Sequence, residues 1–107
     1  MDIKLIYISV GTLSEAQKIG RTLVEERRVA CVNIINAVSS IYWWEGKIQN
    51  DQEVILIAKT IQGLVPEVID RVKELHSYVC PCIVALPIDA GNPAFLDWVE
   101  REVTQFG

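Results

Sequence analysis

Ile3 to Val10 is a short apolar run rich in β-branched residues, closed by Gly11, and it predicts a strand. Ser14-Glu15-Ala16-Gln17 follows with capping-box spacing, which predicts a helix N-terminus at Ser14 with Gln17 reaching back. Ala16, Ile19, Gly20, Leu23 and Val24 then share one helical face, with Glu25, Glu26, Arg27 and Arg28 mostly outside it. From about residue 30 to about residue 60 the pattern is a long hairpin: Cys31-Val32-Asn33-Ile34-Ile35 leads in and Glu53-Val54-Ile55-Leu56-Ile57-Ala58 leads out. Glu45-Gly46 between them supplies turn chemistry, because glycine reaches positive φ at little cost. Val65, Val68, Ile69, Val72 and Leu75 recur at helical spacing, and Pro66 falls in the first turn, where its missing N–H matters least. Ile83 to Pro87 is a last apolar strand. Asn92-Pro93 then predicts an N-cap and first helical position for a helix carrying Phe95, Leu96, Trp98 and Val99.

The element order is thus β-α-β-β-α-β with a further C-terminal helix. With right-handed crossovers it predicts an α+β protein, a ferredoxin-like βαββαβ sandwich whose second and third strands form an extended hairpin, in one domain over residues 1–107. Two features do not suit an isolated copy. Leu5-Ile6-Tyr7-Ile8 and Val54-Ile55-Leu56-Ile57-Ala58 are apolar on both faces, whereas a half-solvated antiparallel sheet alternates. Trp43 and Trp44 are adjacent and must point to opposite faces of a strand, so one small core cannot take both. The simplest cover for the second face is another copy of the chain.

The 107 residues carry 10 Lys+Arg against 14 Asp+Glu, a net charge of −4 and a pI near 4.9. An acidic surface repels phosphate backbones, which argues against a nucleic-acid partner. No apolar run approaches the roughly 18–20 residues that span a bilayer, so no membrane role is expected. The start, Met1-Asp2-Ile3-Lys4, lacks the basic region of a signal peptide, and three cysteines cannot all pair within one chain. Both point to a reducing, cytoplasmic setting.

Motifs separate the functions this fold can host. Glu53-Val54-Ile55-Leu56-Ile57-Ala58-Lys59 is unlike the basic aromatic strand of an RNA-recognition motif. Gly11-Thr12-Leu13 after the first strand carries no Cys-x-x-Cys pair and no phosphate-cradling run of glycines followed by arginine. With one histidine and no serine at a strand–turn–helix elbow, no nucleophile–base pair is visible, and the chain is expected not to be an enzyme.

Several segments fit one family in order along almost the whole chain. They include Ala30-Cys31-Val32-Asn33-Ile34, Ser40-Ile41-Tyr42-Trp43-Trp44-Glu45-Gly46-Lys47, Glu53-Val54, Lys59-Thr60, and Val72-Lys73-Glu74-Leu75-His76. Tyr78, Pro81, Ala85-Leu86-Pro87-Ile88 and Gly91-Asn92 continue the match. In these the chain resembles the CutA family of divalent-cation tolerance proteins. The resemblance implies a homotrimer in the cytoplasm, an architecture like the PII signalling proteins, and a link to copper and other divalent cations. Where the family commonly reads His-Pro-Tyr-x-x-Pro-Glu, this chain reads His76-Ser77-Tyr78-Val79-Cys80-Pro81-Cys82.

His76, Cys80 and Cys82 are therefore the candidate metal ligands, a donor set suited to a copper or zinc ion, and no organic cofactor is indicated. The competing reading makes the two cysteines small hydrophobes at a strand start and His76 a helix-ending residue near the C-terminal dipole. Cys31, between Ala30 and Val32, reads as a packing residue. Tyr42, Trp44, Glu53, Lys59 and Tyr78 are the candidates for a small-ligand cleft between subunits. Three functions remain: a metal-binding or metal-responsive trimer, a PII-like regulator of a small anionic ligand, and a structural oligomer with indirect metal effects.

Overall fold

Period-2 alternation on the longest strand sets the layers. The computed structural model describes residues 2–104. It runs β1 (Ile3–Val10), α1 (Leu13–Glu25), β2 (Cys31–Trp44), β3 (Lys47–Ile61), α2 (Val65–Leu75), β4 (Ile83–Pro87) and α3 (Pro93–Thr104), with a 3-10 turn at Gln62–Leu64. The four strands form one antiparallel sheet in the order β2-β3-β1-β4. Val54, Leu56 and Ala58 of β3 sit beside Val10, Ile8 and Ile6 of β1, and all six are buried under α1 and α2 with Ala16, Ile19, Leu23, Val68 and Val72. This is the main core.

The residues between them, Glu53, Ile55, Ile57 and Lys59 with Leu5, Tyr7 and Ser9, belong to the opposite face. The sequence leaves that face wholly for another copy, but α3 packs on β3 and β1, with Val99 and Val103 buried outside the main cluster. Ile3 and Ile55 are buried there too. Val84, Leu86, Ile35, Tyr42 and Trp44 remain exposed.

β1 pairs with β3 only from Val54 to Ile61, so the far half of the hairpin is a two-stranded ribbon. Glu45 (φ 50°) and Gly46 (φ 77°) form its two-residue turn, the doubly left-handed geometry that matches strand twist. Register shifts by one between Asn36 and Val38, because Asn36 faces Val54 while Val38 already faces Glu53. Ala37 is the extra residue of a β-bulge. The bulge reverses which residues face which way. Val38, Ser40, Tyr42 and Trp44 join the open face with Glu53, whereas Ile41 and Trp43 turn to the other side with Ile48. The two tryptophans do part company, and Trp43 (72% exposed) is barer than Trp44 (45%).

The expected capping box at Ser14 is corrected. Helix α1 starts at Leu13, and Thr12, in extended backbone, accepts the Glu15 N–H at 3.2 Å through Oγ1. Thr12-x-x-Glu15 has the same spacing as Ser14-x-x-Gln17, and two residues earlier it meets the end of β1 through Gly11. The Asn92 cap stands as expected, with Oδ1 accepting the Ala94 N–H at 3.1 Å. Helices α1 and α2 are also tied by the Arg71 guanidinium, which forks onto both Glu26 oxygens at 3.0 Å and holds that carboxyl below its usual range. Among the described residues no helix is long and apolar enough to cross a membrane.

The two capping assignments predict opposite results. Thr12→Ala should cost about 1 kcal/mol in denaturant unfolding, the typical loss for an N-cap, while Ser14→Ala, inside the helix and exposed, should change the midpoint little.

Candidate functional site

A cleft of about 410 Å³ lies on the open face, lined by Tyr7, Ser9, Ser40, Tyr42, Glu53, Tyr78, Cys80 and Cys82 among others. A second hollow of about 340 Å³ shares Tyr42, Tyr78 and Cys80 with it and adds Trp44, Asp51 and Val79. One wall is the hairpin ribbon. The other is the segment from Ser77 to Cys82, which leaves α2 at His76 and joins β4.

That second wall hangs on a buried imidazole. The His76 side chain is 0% exposed. Its Nε2 lies 2.7 Å from the Ser9 carbonyl oxygen and must donate to it, and its Nδ1 accepts the Tyr78 N–H at 3.0 Å. Both ring nitrogens are thus engaged. Glu15 of α1 stands 3.6 Å from Nδ1 and accepts twice from Ser77, from N–H at 2.8 Å and from the hydroxyl at 2.9 Å. Beyond this clamp, the Tyr78 ring passes over Gly11, where a Cβ would come within 3.3 Å of the phenol oxygen. Glycine at this position leaves the room the ring needs.

Tyr78 then donates its hydroxyl to Glu53 Oε2 at 3.0 Å, closing the cleft floor between strand and loop. Burial pushes its phenol up to about 12, helped by the hydrogen bond to Glu53 and by the Glu53 charge. Glu53 is only 9% exposed. Tyr42 donates to Asp51 Oδ2 at 2.6 Å, and that bond raises its phenol above the ordinary value. The cleft thus carries two carboxylates, and the Tyr42 and Tyr78 phenols beside them stay neutral at physiological pH.

The ligand-cleft candidates Tyr42, Trp44, Glu53 and Tyr78 come together here. Lys59 does not join them within one chain. It sits six positions along β3 from Glu53, about 20 Å at strand rise, and bonds to Asn33 Oδ1 instead. Of the metal candidates, Cys80 and Cys82 line the cleft, while the His76 ring is turned into the Ser9–Tyr78 clamp. Among the described residues no three or more His, Cys, Asp or Glu side chains gather as a metal-holding group. Cys31 pairs with Lys59 far from the cleft, is half-buried, and has its thiol pushed up by burial against the pull of the Lys59 charge.

Sequence reasoning missed Tyr7, Ser9, Glu15 and Asp51. Tyr7 and Ser9 were within reach, since alternation along β1 puts them on one face with the exposed half of β3. Glu15 was not, because its partner Ser77 is 62 residues away.

The CutA1 divalent ion tolerance protein family model matches residues 4–102. The chain belongs to that family. A divalent-cation tolerance protein CutA of Archaeoglobus fulgidus is 46% identical over 98 residues, covering 92% of this chain and 95% of the relative. One from Thermus thermophilus matches with the same identity and coverage. Among solved structures, the A. fulgidus protein, described as periplasmic, superposes with a TM-score of 0.91 at 44% identity, covering 94% of this chain and 98% of that one. The CutA of Xylella fastidiosa superposes at 0.93 with 37% identity, over 96% and 99%. The CutA family resemblance read from the hairpin and the His76–Pro81 segment is therefore correct.

Tyr78 offers a spectroscopic test of the cleft floor. Ultraviolet titration should show a phenolate that appears near pH 12 and is missing in Tyr78→Phe. Glu53→Gln should lower that midpoint, since it removes the charge and weakens the bond. Because the folded value lies above the unfolded one of 10.0, Tyr78's contribution to stability is full below pH 10 and is lost as pH climbs toward 12. A Tyr78 midpoint at 10 would place the ring in water.

Proposed function

We propose that this protein is a non-enzymatic, cytoplasmic homotrimer of divalent-cation tolerance, ferredoxin-like in each protomer, that binds copper and other divalent cations at the cleft beside the hairpin. The observation that carries the reading is the cleft's charge. Glu53 and Asp51 face it, and no cation of the same chain lines it among the described residues. Anionic walls attract cations and repel anions, so a small anionic ligand of the PII kind is disfavoured at this surface. Cys80 and Cys82 add thiols, the donors that bind late transition metals best.

The strand order β2-β3-β1-β4 supports the ferredoxin-like protomer. The trimer is supported by surface that a single copy leaves wet. Ile41, Trp43 and Ile48 crowd one side of the ribbon, Tyr42 and Trp44 the other, and Val79 at the cleft rim is 95% exposed. A two-stranded ribbon is marginal in water without cover, and exposed apolar patches of this kind mark interfaces. The cytoplasm is the proposed compartment because all three cysteines are free thiols, which suits a reducing setting; cell fractionation checks it.

Calorimetric titration of reduced protein with divalent ions, with light scattering alongside, tests the whole reading. We expect saturable binding, weakened by Glu53→Gln at least as much as the roughly 10-fold to 100-fold that outer-shell changes cause. No heat with any divalent ion, or tight binding of small anions instead, overturns the cleft assignment.

The expected mass is three times the 12.0 kDa protomer. Trp44→Ala should lower the melting temperature or dissociate the trimer on dilution, since truncating a fully buried tryptophan costs about 3–5 kcal/mol. A monomer mass for the unmodified protein at micromolar concentration rejects the assembly.

A further inference from the structure

We infer that Cys80 and Cys82 form a two-thiolate site that takes a soft, low-coordinate cuprous ion in preference to zinc. The inference rests on the cation-binding reading of the cleft and extends it from divalent ions to a soft monovalent one. Both thiols are free, exposed, and line the same wall beside Glu53 and Tyr78. The chain bends at Cys80, ahead of Pro81, and both cysteines line the same cleft. The Ser9 N–H donates to the Cys82 carbonyl at 3.3 Å, so the second cysteine is tied to β1.

The donor count decides the ion. Zinc in protein sites takes four ligands, or three and a water. One chain offers two sulfurs here. His76 is buried with Nε2 against Ser9 and Nδ1 on the Tyr78 N–H, and using it would break the clamp that positions the wall. Glu53 accepts from Tyr78, and its hard oxygen suits a cuprous ion poorly. Among the described residues no third His, Cys, Asp or Glu completes a group with the thiols. A cuprous ion is satisfied by two soft thiolates, whereas zinc, calcium and magnesium are not. At a metal–sulfur bond of about 2.3 Å the sulfurs need to stand about 4.6 Å apart. Cα atoms two residues apart stand at most about 7 Å from each other in any backbone, so two thiols lining one cleft are within reach of this spacing. Binding displaces the two thiol protons to solvent and changes no oxidation state.

The test uses the reduced, intact protein under argon. Cuprous ion is titrated in competition with bathocuproine disulfonate, and zinc in competition with a chromophoric chelator. X-ray absorption is then recorded on the copper-loaded protein. We expect one cuprous ion per protomer, a two-sulfur shell, and affinity roughly 100-fold or more above that for zinc. Cys80→Ser with Cys82→Ser should remove that binding, while Cys31→Ser leaves it unchanged. Circular dichroism confirms that the double variant is folded, and the sulfur count on unmodified protein gives an answer independent of any variant. A shell containing nitrogen, cuprous binding retained by the double variant, or zinc bound as tightly as copper overturns the inference. If divalent ions still bind in a Glu53-dependent way in any of those cases, the cleft reading survives and only the thiol assignment falls. If no ion of either kind binds, both fall.

Discussion

One extra residue decides what the hairpin shows to the cleft. Without Ala37, strand alternation would carry Ile35 and its odd-numbered successors onto the open face and put Ile41 and Trp43 opposite Tyr78. With it, Tyr42 and Trp44 arrive there, in line with Glu53 and Asp51. The polar equipment of the cleft therefore depends on a one-residue slip on one strand, where β3 keeps strict alternation. Bulges are common where a sheet must re-aim side chains, and this one lies where the ribbon leaves the four-stranded sheet.

The opposite wall has a different origin. A loop of seven residues between helix and strand would ordinarily wander. Here His76 ties it down, because a buried imidazole must satisfy both nitrogens and finds its partners on β1 and on the loop itself. Glu15 then grips Ser77 from α1, so three elements fix one turn of chain. Tyr78 follows from that placement, and its bond to Glu53 joins the loop wall to the strand wall. The histidine thus positions the cleft, and the thiols of Cys80 and Cys82, free of such duties, are left to face it.

This arrangement gives physical content to the chain's departure from the family's usual His-Pro-Tyr-x-x-Pro-Glu. The clamp needs His76 and Tyr78, which are kept. Cys82, where the usual acidic residue stands, and the added Cys80 both lie on the cleft surface, so the change leaves the clamp intact. Membership of the CutA1 family rests on nearly the full length of the chain.

The sequence alone determined the elements. The strand at Ile3–Val10, the Glu45-Gly46 turn, Pro66 in the first turn of α2, the strand at Ile83–Pro87 and the Asn92 cap are all local patterns, set by alternation, helical period and turn chemistry within a few residues. It also determined that Trp43 and Trp44 part, since neighbours on a strand must. The start of α1 was ambiguous at this level because Thr12 and Ser14 both satisfy the capping spacing. Tertiary structure decided what depends on distant partners. That α3 shares the open face, that Ala37 bulges, that His76 is buried in a clamp, and that Lys59 stands apart from Glu53 all follow from contacts between segments tens of residues apart. Residue type and spacing carry no record of such contacts, since a histidine two residues before a tyrosine reads the same whether its ring meets a metal or a backbone carbonyl.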